Sequence, residues 1–431
     1  MRVVVFGSGI TGVSAARELL KRGHEVRLVD ENVPEKAPEI PVRPLTETDI
    51  DWAELVIPSP GVPRTHPMLA KARRVLSEIE IATDLLKGKL IAITGTNGKT
   101  TTTTLIHRVL QAQGFDAGIG GNISPPLMTL VPDNPAYVVA EISSFQLEWI
   151  EHFRPDIALC MNITPDHLDR YSDMDEYVLY KLKIFENQRP DDIAIVNDDD
   201  PFLKGIPLKA RRSSFSLSTP PEGDGAYLDA SQIFFTGAIA GPGPRVPDPA
   251  KVGAGVIEDM LATALVGRYL GVDTLTMEEI FTTFKVIHNR FETVDTIGGI
   301  TFIDDSKATN VGALEKALST LTSPVILILG GRDKGGDFSG IARRYTHIIK
   351  KAYVIGEAAR RIVCEISGMV DTTEARDMEE AVTLAYASAS PGDTVLLSPG
   401  CSSFDMYRSY AHRGEVFREC VHSIPKSMNA R

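Results

Sequence analysis

The segment GTNGKT at residues 95–100 lies between an apolar run, LIAI at 90–93, and a threonine-rich stretch that suits a helix. It has the pattern of a P-loop with a shortened glycine spacing. In such a turn successive backbone N–H groups surround phosphate oxygens, a lysine ammonium reaches the terminal phosphates and a hydroxyl ligates magnesium. Here the backbone belongs to Gly95, Thr96, Asn97 and Gly98, the ammonium to Lys99 and the hydroxyl to Thr100, with Thr101 following. A threonine-rich helix cap is the bland alternative, and the order strand, turn, helix argues against it.

Two further residues could join this chemistry. Glu141 ends the strand-like run AYVVAE (136–141), and His167 follows DIALCMNI (156–163). Both are expected at the carboxyl edge of the sheet that carries Lys99, where open α/β sheets bind ligands. Alone, each reads as a solvated strand end or a helix cap; beside a P-loop, they suit a magnesium site.

A second glycine signature opens the chain. Gly7, Gly9 and Gly12 fit G-x-G-x-x-G, and Asp30 ends the next strand-like run, about 20 residues on, where a dinucleotide fold places a ribose-binding carboxylate. Such glycines let backbone approach a pyrophosphate at a helix amino terminus, whichever nucleotide carries it. A dehydrogenase is one reading and a tight turn without ligand another.

These residues need α/β scaffolds. The chain has 431 residues, enough for about three domains. RVVVF at 2–6, EVRLVD at 25–30 and LVIPSP at 55–60 predict a small Rossmann-like amino-terminal domain over 1–87. The rhythm restarts at Leu90 and continues through IAIVN at 193–197, predicting a central P-loop-type ATPase domain over 88–293 with a mostly parallel sheet. Within it, the Pro- and Gly-rich stretch 220–249 reads as loops and short edge strands. Gly298 and Gly299 mark a turn between short strands, and VILILGG, AYVIG and TVLLSPG then alternate with helices, predicting a Rossmann-like carboxyl-terminal domain over 294–431.

Composition narrows the partners. With 43% hydrophobic and 24% charged residues and a net charge of −12, the chain has the makeup of a soluble globular protein. It offers no basic face to nucleic acid or an anionic membrane. No apolar run reaches the roughly 20 residues that span a bilayer, and the first residues lack the pattern of a secretory signal. Cys160, Cys364, Cys401 and Cys420 are scattered, without the close spacing of a zinc or redox site. A cytoplasmic monomer with reduced thiols is expected.

GTNGKTT, EISSFQLE at 141–148 and NITPDHLDRY at 162–171 together resemble the Mur ligase family of ATP-dependent amide-forming enzymes. The resemblance spans the chain, through RFE at 290–292, DDSKATN at 304–310, LGGRDKGGDF at 329–338 and LSPGCSSFDMYRSYAHRG at 397–414. The last three strings are most similar to members that add D-glutamate to UDP-N-acetylmuramoyl-L-alanine in peptidoglycan synthesis. The resemblance implies that the first domain holds the UDP part of the sugar substrate, the second holds ATP with Mg2+, and the third binds the amino acid. Two phosphate turns then serve two nucleotides, with no nicotinamide.

Carried over by position, the resemblance implies that Ile10, Thr11, Asp30 and Ser59 contact uridine diphosphate and that Asn122 reaches the sugar substrate. Thr100, Glu141 and His167 fall to magnesium. Lys181, in EYVLYKLKIFEN at 176–187, matches a lysine whose carbamylated side chain helps bind a second magnesium; added carbon dioxide makes a cation into a carboxylate that a hard cation accepts. Lys183 is its nearby competitor. Arg290, Asp305 and Lys307 match positions near the ATP phosphates and the transferring phosphoryl group. Thr309, Lys334, Ser403 and Tyr410 match positions that hold the amino acid, and a lysine with hydroxyls suits a dicarboxylate; helix start and packing are the alternative for Ser403 and Tyr410.

Two segments depart from the family. KVGAGVIEDMLATA at 251–264 lacks the His and Asn of the usual Gly-x-His-Asn-x-x-Asn, and the usual His-Arg pair reads HNR at 288–290, so Arg290 is carried over and His288 is not assigned. The implied reaction runs through an acyl phosphate that the amino-acid amine attacks, with His167 a candidate proton acceptor. A family relative adding another amino acid, a nicotinamide dehydrogenase and an inactive binding module are the rivals.

Overall fold

The computed structural model describes residues 1–33, 39–168, 170–284 and 289–425; His288 lies outside them. The chain forms two compact units. The first comprises Met1–Ile163, Ser172–Arg245 and Asp259–Phe281, and the second Thr164–Tyr171, Val246–Glu258 and Thr282–Arg431. Among the described residues no helix is long and apolar enough to cross a membrane.

The first unit holds two sheets. In the smaller, four parallel strands lie in the order Val42–Pro44, Glu25–Asp30, Arg2–Phe6, Leu55–Pro58. Val3, Val4 and Val5 are all buried, as expected of a parallel strand covered on both faces. The chain then turns sharply at Gly7 (φ +111°) into the helix Ile10–Lys21. A side chain at Gly7 would meet Ser59, and one at Gly12 would strike the Gly7 carbonyl, so these glycines serve close backbone approach.

The larger sheet has nine strands. Lys89–Thr94 lies between Ile157–Cys160 and Tyr137–Glu141, with all three parallel. The run DIALCMNI pairs as a strand only over Ile157–Cys160. Beyond Ser216 the Pro- and Gly-rich stretch forms Gly225–Asp229, Gln232–Thr236 and Gly241–Arg245, the last two antiparallel additions at one edge.

Buried carboxylates tie the helix Glu78–Leu85 to its surroundings. Glu80 accepts the amides of Glu151, His152 and Phe153 at 3.0, 2.7 and 2.9 Å. Glu78 accepts the Met128 amide at 2.6 Å through Oε1, while its Oε2 is buried without a hydrogen-bond partner. Removal from water disfavours the charged form, and burial pushes Glu78 up to about 7 despite the Met128 amide.

The second unit carries a six-stranded sheet in the order Glu292–Ile297, Ile300–Asp304, Thr394–Leu397, Val325–Gly330, Ile349–Ile355, Thr372–Glu374. The first pair is an antiparallel hairpin turning at Gly298 and Gly299, with φ of +60° and +79°; the remaining pairs are parallel. Apolar clusters cover both faces, one around Leu314, Leu327 and Phe338, the other around Phe302, Ile328 and Phe417.

Glu78 gives a pH prediction. A carboxyl raised from 4.5 to about 7 on folding contributes stability that is present below the unfolded value and lost as pH rises through the folded one. Glu78→Gln keeps an acceptor for Met128 and removes the titration. Thermal melts from pH 5 to 8 should show the variant gaining on the parent by roughly a few degrees as pH rises; a constant difference would contradict the burial argument.

Candidate functional site

In the first unit the P-loop is built where Lys89–Thr94 ends. Gly95 and Gly98 adopt φ of +147° and +85°, and the helix Lys99–Ala112 follows. The segment after the neighbouring strand pins the loop: Thr96 N–H donates to the Asn162 carbonyl, Asn97 N–H to Asn162 Oδ1, both at 2.8 Å, and Asn162 Nδ2 returns a bond to the Asn97 carbonyl at 3.1 Å. Asn162 thus holds the shape of the loop.

Asp259 supports the loop from the helix Ala254–Leu270. It is 3% exposed, its Oδ1 accepts the Thr102 hydroxyl at 2.9 Å, and a Cβ on Gly98 would overlap that oxygen. Sequence reasoning saw in this segment only missing residues. The acid pair Glu258-Asp259 inside a mostly apolar run, VIEDMLATALV, was the available signal.

Two ammonium groups converge on one carbonyl. Lys99 Nζ donates to the Gly95 and Thr96 carbonyls at 2.8 Å each, and Lys181 Nζ donates to the same Gly95 carbonyl at 2.8 Å. Lys181 is 2% exposed and lies 4.6 Å from the Tyr177 ring centroid. The Tyr177 hydroxyl in turn stands 3.1 Å from Thr96 Oγ1. Lys183 instead faces Glu186 at 4.0 Å, so only Lys181 of the two lysines reaches the loop.

Glu141 ends the strand beside Lys89–Thr94 and is buried. Its Oε1 accepts Asn122 Nδ2 at 2.7 Å, and its Oε2 is buried without a hydrogen-bond partner. A buried carboxylate oxygen without a donor suits a hard cation, just as the glycine cradle and the two ammoniums suit phosphate.

The first glycine turn opens onto a cavity of about 350 Å³ lined by Ile10, Thr11, Asp30 and Ser59, among others. Asp30 Oδ2 accepts both the backbone amide and the hydroxyl of Ser8 at 2.7 Å, and Oδ1 accepts the Asn32 amide at 3.0 Å. Burial alone would raise Asp30, but the Ser8 and Asn32 bonds outweigh it and hold the carboxyl below its usual range. Asp30 thus fixes the turn as well as lining the cavity.

In the second unit the sequence candidates gather where parallel strands end. Asp305 accepts Ser398 Oγ at 2.9 Å and the Phe291 amide at 3.2 Å; burial pushes it up to about 7, opposed by these bonds and by Arg290. Arg290 Nε is buried without a hydrogen-bond partner. Lys307 Nζ lies 5.2 Å from the Tyr410 ring centroid, and the Thr309 amide donates to the Lys307 carbonyl at 2.8 Å. Ser403 is buried, its carbonyl accepting the Tyr407 amide at 2.9 Å. Arg413, which sequence reasoning passed over, is 1% exposed and joins two loops through the Cys401 carbonyl at 3.1 Å and the Ser306 carbonyl at 2.8 Å. Burial pulls its guanidinium down to about 10.

His167 lies in the segment Thr164–Tyr171, which belongs to the second unit. His167 has φ +56°, and its amide donates to Asp166 Oδ1 at 2.9 Å. That carboxylate also accepts Lys334 Nζ at 2.9 Å and Asn310 Nδ2 at 3.2 Å. Asp166 is therefore the organiser of this corner. The strand ends at Cys160, and the five residues that separate it from Asp166 let the chain pass from one unit to the other.

Three family models match the chain: Mur ligase MurD-like, N-terminal domain over residues 1–81, Mur ligase middle domain over 93–236, and Mur ligase, glutamate ligase domain over 289–401. The UDP-N-acetylmuramoylalanine--D-glutamate ligase of Geobacter metallireducens is 40% identical, over 98% of this chain and 97% of its own. The ligase of the same name from Acidobacterium capsulatum is 39% identical, over 97% and 96%. Among solved structures, a pseudomurein peptide ligase type C from Methanothermus fervidus aligns with a TM-score of 0.64 at 19% identity, covering 98% of this chain and 100% of that one. A MurF ligase from Thermotoga maritima in complex with ADP aligns with a TM-score of 0.62 at 16% identity, covering 97% and 95%. At such identities the structural likeness speaks for the fold.

Gly98→Ala should be among the most damaging single-atom-group changes in the first unit. The added methyl meets Asp259 at a positive φ. Calorimetric titration should show binding of a nucleoside triphosphate weakened by about tenfold or more, since strain of this kind costs on the order of 1–3 kcal/mol; near-parental affinity would mean that the loop does not hold the phosphates.

Proposed function

The chain belongs to the Mur ligase family, and from that premise we propose that it joins D-glutamate to UDP-N-acetylmuramoyl-L-alanine at the expense of ATP, in the cytoplasm, as a step of peptidoglycan precursor synthesis. The observation that carries the reading is the likeness, along almost the whole chain, to curated ligases of that name. The three matched stretches support a division of labour in which residues 1–87 hold the sugar nucleotide, 88–293 hold ATP and 294–431 hold the amino acid.

In the reaction a carboxylate oxygen of the L-alanyl group takes the γ-phosphoryl group, ADP departs, and the D-glutamate amine attacks the acyl carbon. Phosphate then leaves and the amine loses a proton. Chemistry of this kind asks the protein mainly for positioning and charge neutralisation. Lys99 holds its ammonium at the P-loop, and the amides from Gly98 to Thr101 face the phosphates, while those of Thr96 and Asn97 are taken by Asn162. Thr100, Glu141, His167 and Lys181 are the residues for Mg2+, which when bound neutralises phosphate charge. Lys99 and Lys181 share the Gly95 carbonyl, and carbamylation of Lys181 is proposed to turn its cation into a carboxylate for Mg2+.

In the third domain Lys307, with Arg290 and Asp305, is proposed to face the transferring group. Lys334 already pairs with a carboxylate, Asp166, and a D-glutamate carboxylate offers it the same chemistry. Thr309, Ser403 and Tyr410 complete the amino-acid site. At the first cavity, Ile10, Thr11, Asp30 and Ser59 are assigned to uridine diphosphate, whose pyrophosphate suits the amino terminus of the helix Ile10–Lys21. Asn122, bonded to Glu141, is assigned to the sugar side.

Phosphate release from ATP with UDP-N-acetylmuramoyl-L-alanine, measured with each amino acid in turn, tests the reading: only D-glutamate should support it, and mass spectrometry should find the matching amide. Release with L-alanine, L-lysine or a diamino acid instead would move the chain to another Mur activity. Lys99→Ala should lower kcat by about 10²-fold or more, the scale of a lost transition-state donor. Lys334→Ala should raise KM for D-glutamate by about tenfold or more, as loss of a charged hydrogen bond does, with KM for ATP unchanged.

A further inference from the structure

The ligation chemistry makes no use of Arg64, yet this residue links the two nucleotide regions of the first unit. It sits in the segment after the strand Leu55–Pro58, directly beyond Gly61, Val62 and Pro63, which line the first cavity. From there its guanidinium reaches the helix Met174–Leu182. Nη1 donates to the Tyr180 hydroxyl, Nη2 donates to Glu176 Oε1 at 2.7 Å, and the group lies 5.0 Å from the Tyr180 ring centroid.

The receiving side is prepared. Glu176 Oε2 accepts the amide and hydroxyl of Ser172 at 2.8 and 3.0 Å. These bonds, more than Arg64, hold Glu176 below its usual range and keep it anionic. Tyr180 is 8% exposed, so its ring is a fixed platform. One residue on from each contact, the helix meets the P-loop: Tyr177 stands against Thr96 and Lys181 against the Gly95 carbonyl. Positions 176 and 180 form one helical pair and 177 and 181 the next. One short helix is thus held from the cavity rim on one stripe and from the phosphate loop on the adjacent stripe.

We propose that Arg64 is a positioning residue that couples filling of the first cavity to the placement of Lys181 at the P-loop. A ligand that settles the Gly61–Pro63 rim fixes the base of the Arg64 side chain. The stacked, forked guanidinium then transmits that placement to the helix as a rigid contact, because both its plane and its two donors are engaged. The proposal rests on the two-nucleotide reading above. Linkage requires the coupling to be reciprocal: if the sugar nucleotide tightens the triphosphate site, the triphosphate tightens the sugar site by the same factor.

The test is titration of a non-hydrolysable ATP analogue with magnesium, with and without saturating UDP-N-acetylmuramoyl-L-alanine, and the reverse titration, on the full chain. Wild type should show mutual tightening of about tenfold, within the usual range for coupled sites. Arg64→Ala should bind each ligand alone within about twofold of wild type and lose most of the coupling, with kcat reduced and KM for D-glutamate unchanged. Arg64→Lys should recover only part of the coupling, since it keeps the charge and loses the fork. Tyr180→Phe, which keeps the ring, gives a second route if Arg64→Ala folds poorly, and should weaken coupling less than Arg64→Ala.

Wild-type coupling in Arg64→Ala overturns the proposal. So does loss of sugar-nucleotide affinity in the absence of the analogue, which would make Arg64 a ligand contact instead. Wild type that binds both ligands without coupling overturns the proposal and leaves the ligase reading standing, whereas wild type that binds neither overturns the ligase reading and the proposal together.

Discussion

The Gly95 carbonyl, holding the ammoniums of Lys99 and Lys181 together, is the point on which the first unit depends. Two like charges at one neutral acceptor persist only when the surrounding structure fixes both, and here it does. Lys99 is placed by the turn that starts its helix. Lys181 is placed by a separate helix, whose Tyr177 bears on Thr96. The result is a pair of lysines fixed at the end of a parallel strand, in a protein whose overall charge is −12. An anion is therefore attracted by local geometry and not by the long-range field.

Within each unit carboxylates shape the turns. Asp259 braces Gly98 and Thr102, Asp30 fixes the other glycine turn through Ser8 and Asn32, and Asp166 gathers His167, Asn310 and Lys334 in the second unit. Asp30 and Asp166 each accept several donors from the turns around them, and Asp259 accepts the Thr102 hydroxyl of the helix that follows the loop. Loops shaped in this way are fixed by the protein's own hydrogen bonds, which is what pre-organised phosphate and carboxylate binding requires.

Much of this was legible in the sequence. The strands RVVVF, EVRLVD and IAIVN match the folded elements because runs of buried β-formers bounded by turn residues have few other outcomes. The P-loop and the Gly298-Gly299 hairpin were legible for a stronger reason, since a positive φ restricts the residue type and so leaves its mark in the sequence. Asp259 showed only as one of two acids in a mostly apolar run, and Arg413 showed no local sign at all. Their importance comes from burial and from partners far along the chain, which a short stretch of sequence does not name.

The sequence alone determined which residue types stand at the turns, the order of strands and helices, and the family strings that carry the chemistry, because these depend on backbone conformation and short-range pattern. Tertiary structure alone decided that Lys181 and not Lys183 meets the P-loop, that His167 packs with the second unit, and that Arg64 grips the Lys181 helix. Those outcomes turn on which face of a helix is buried and where a chain goes after its strand ends. Packing between distant segments sets both, and no local preference encodes them.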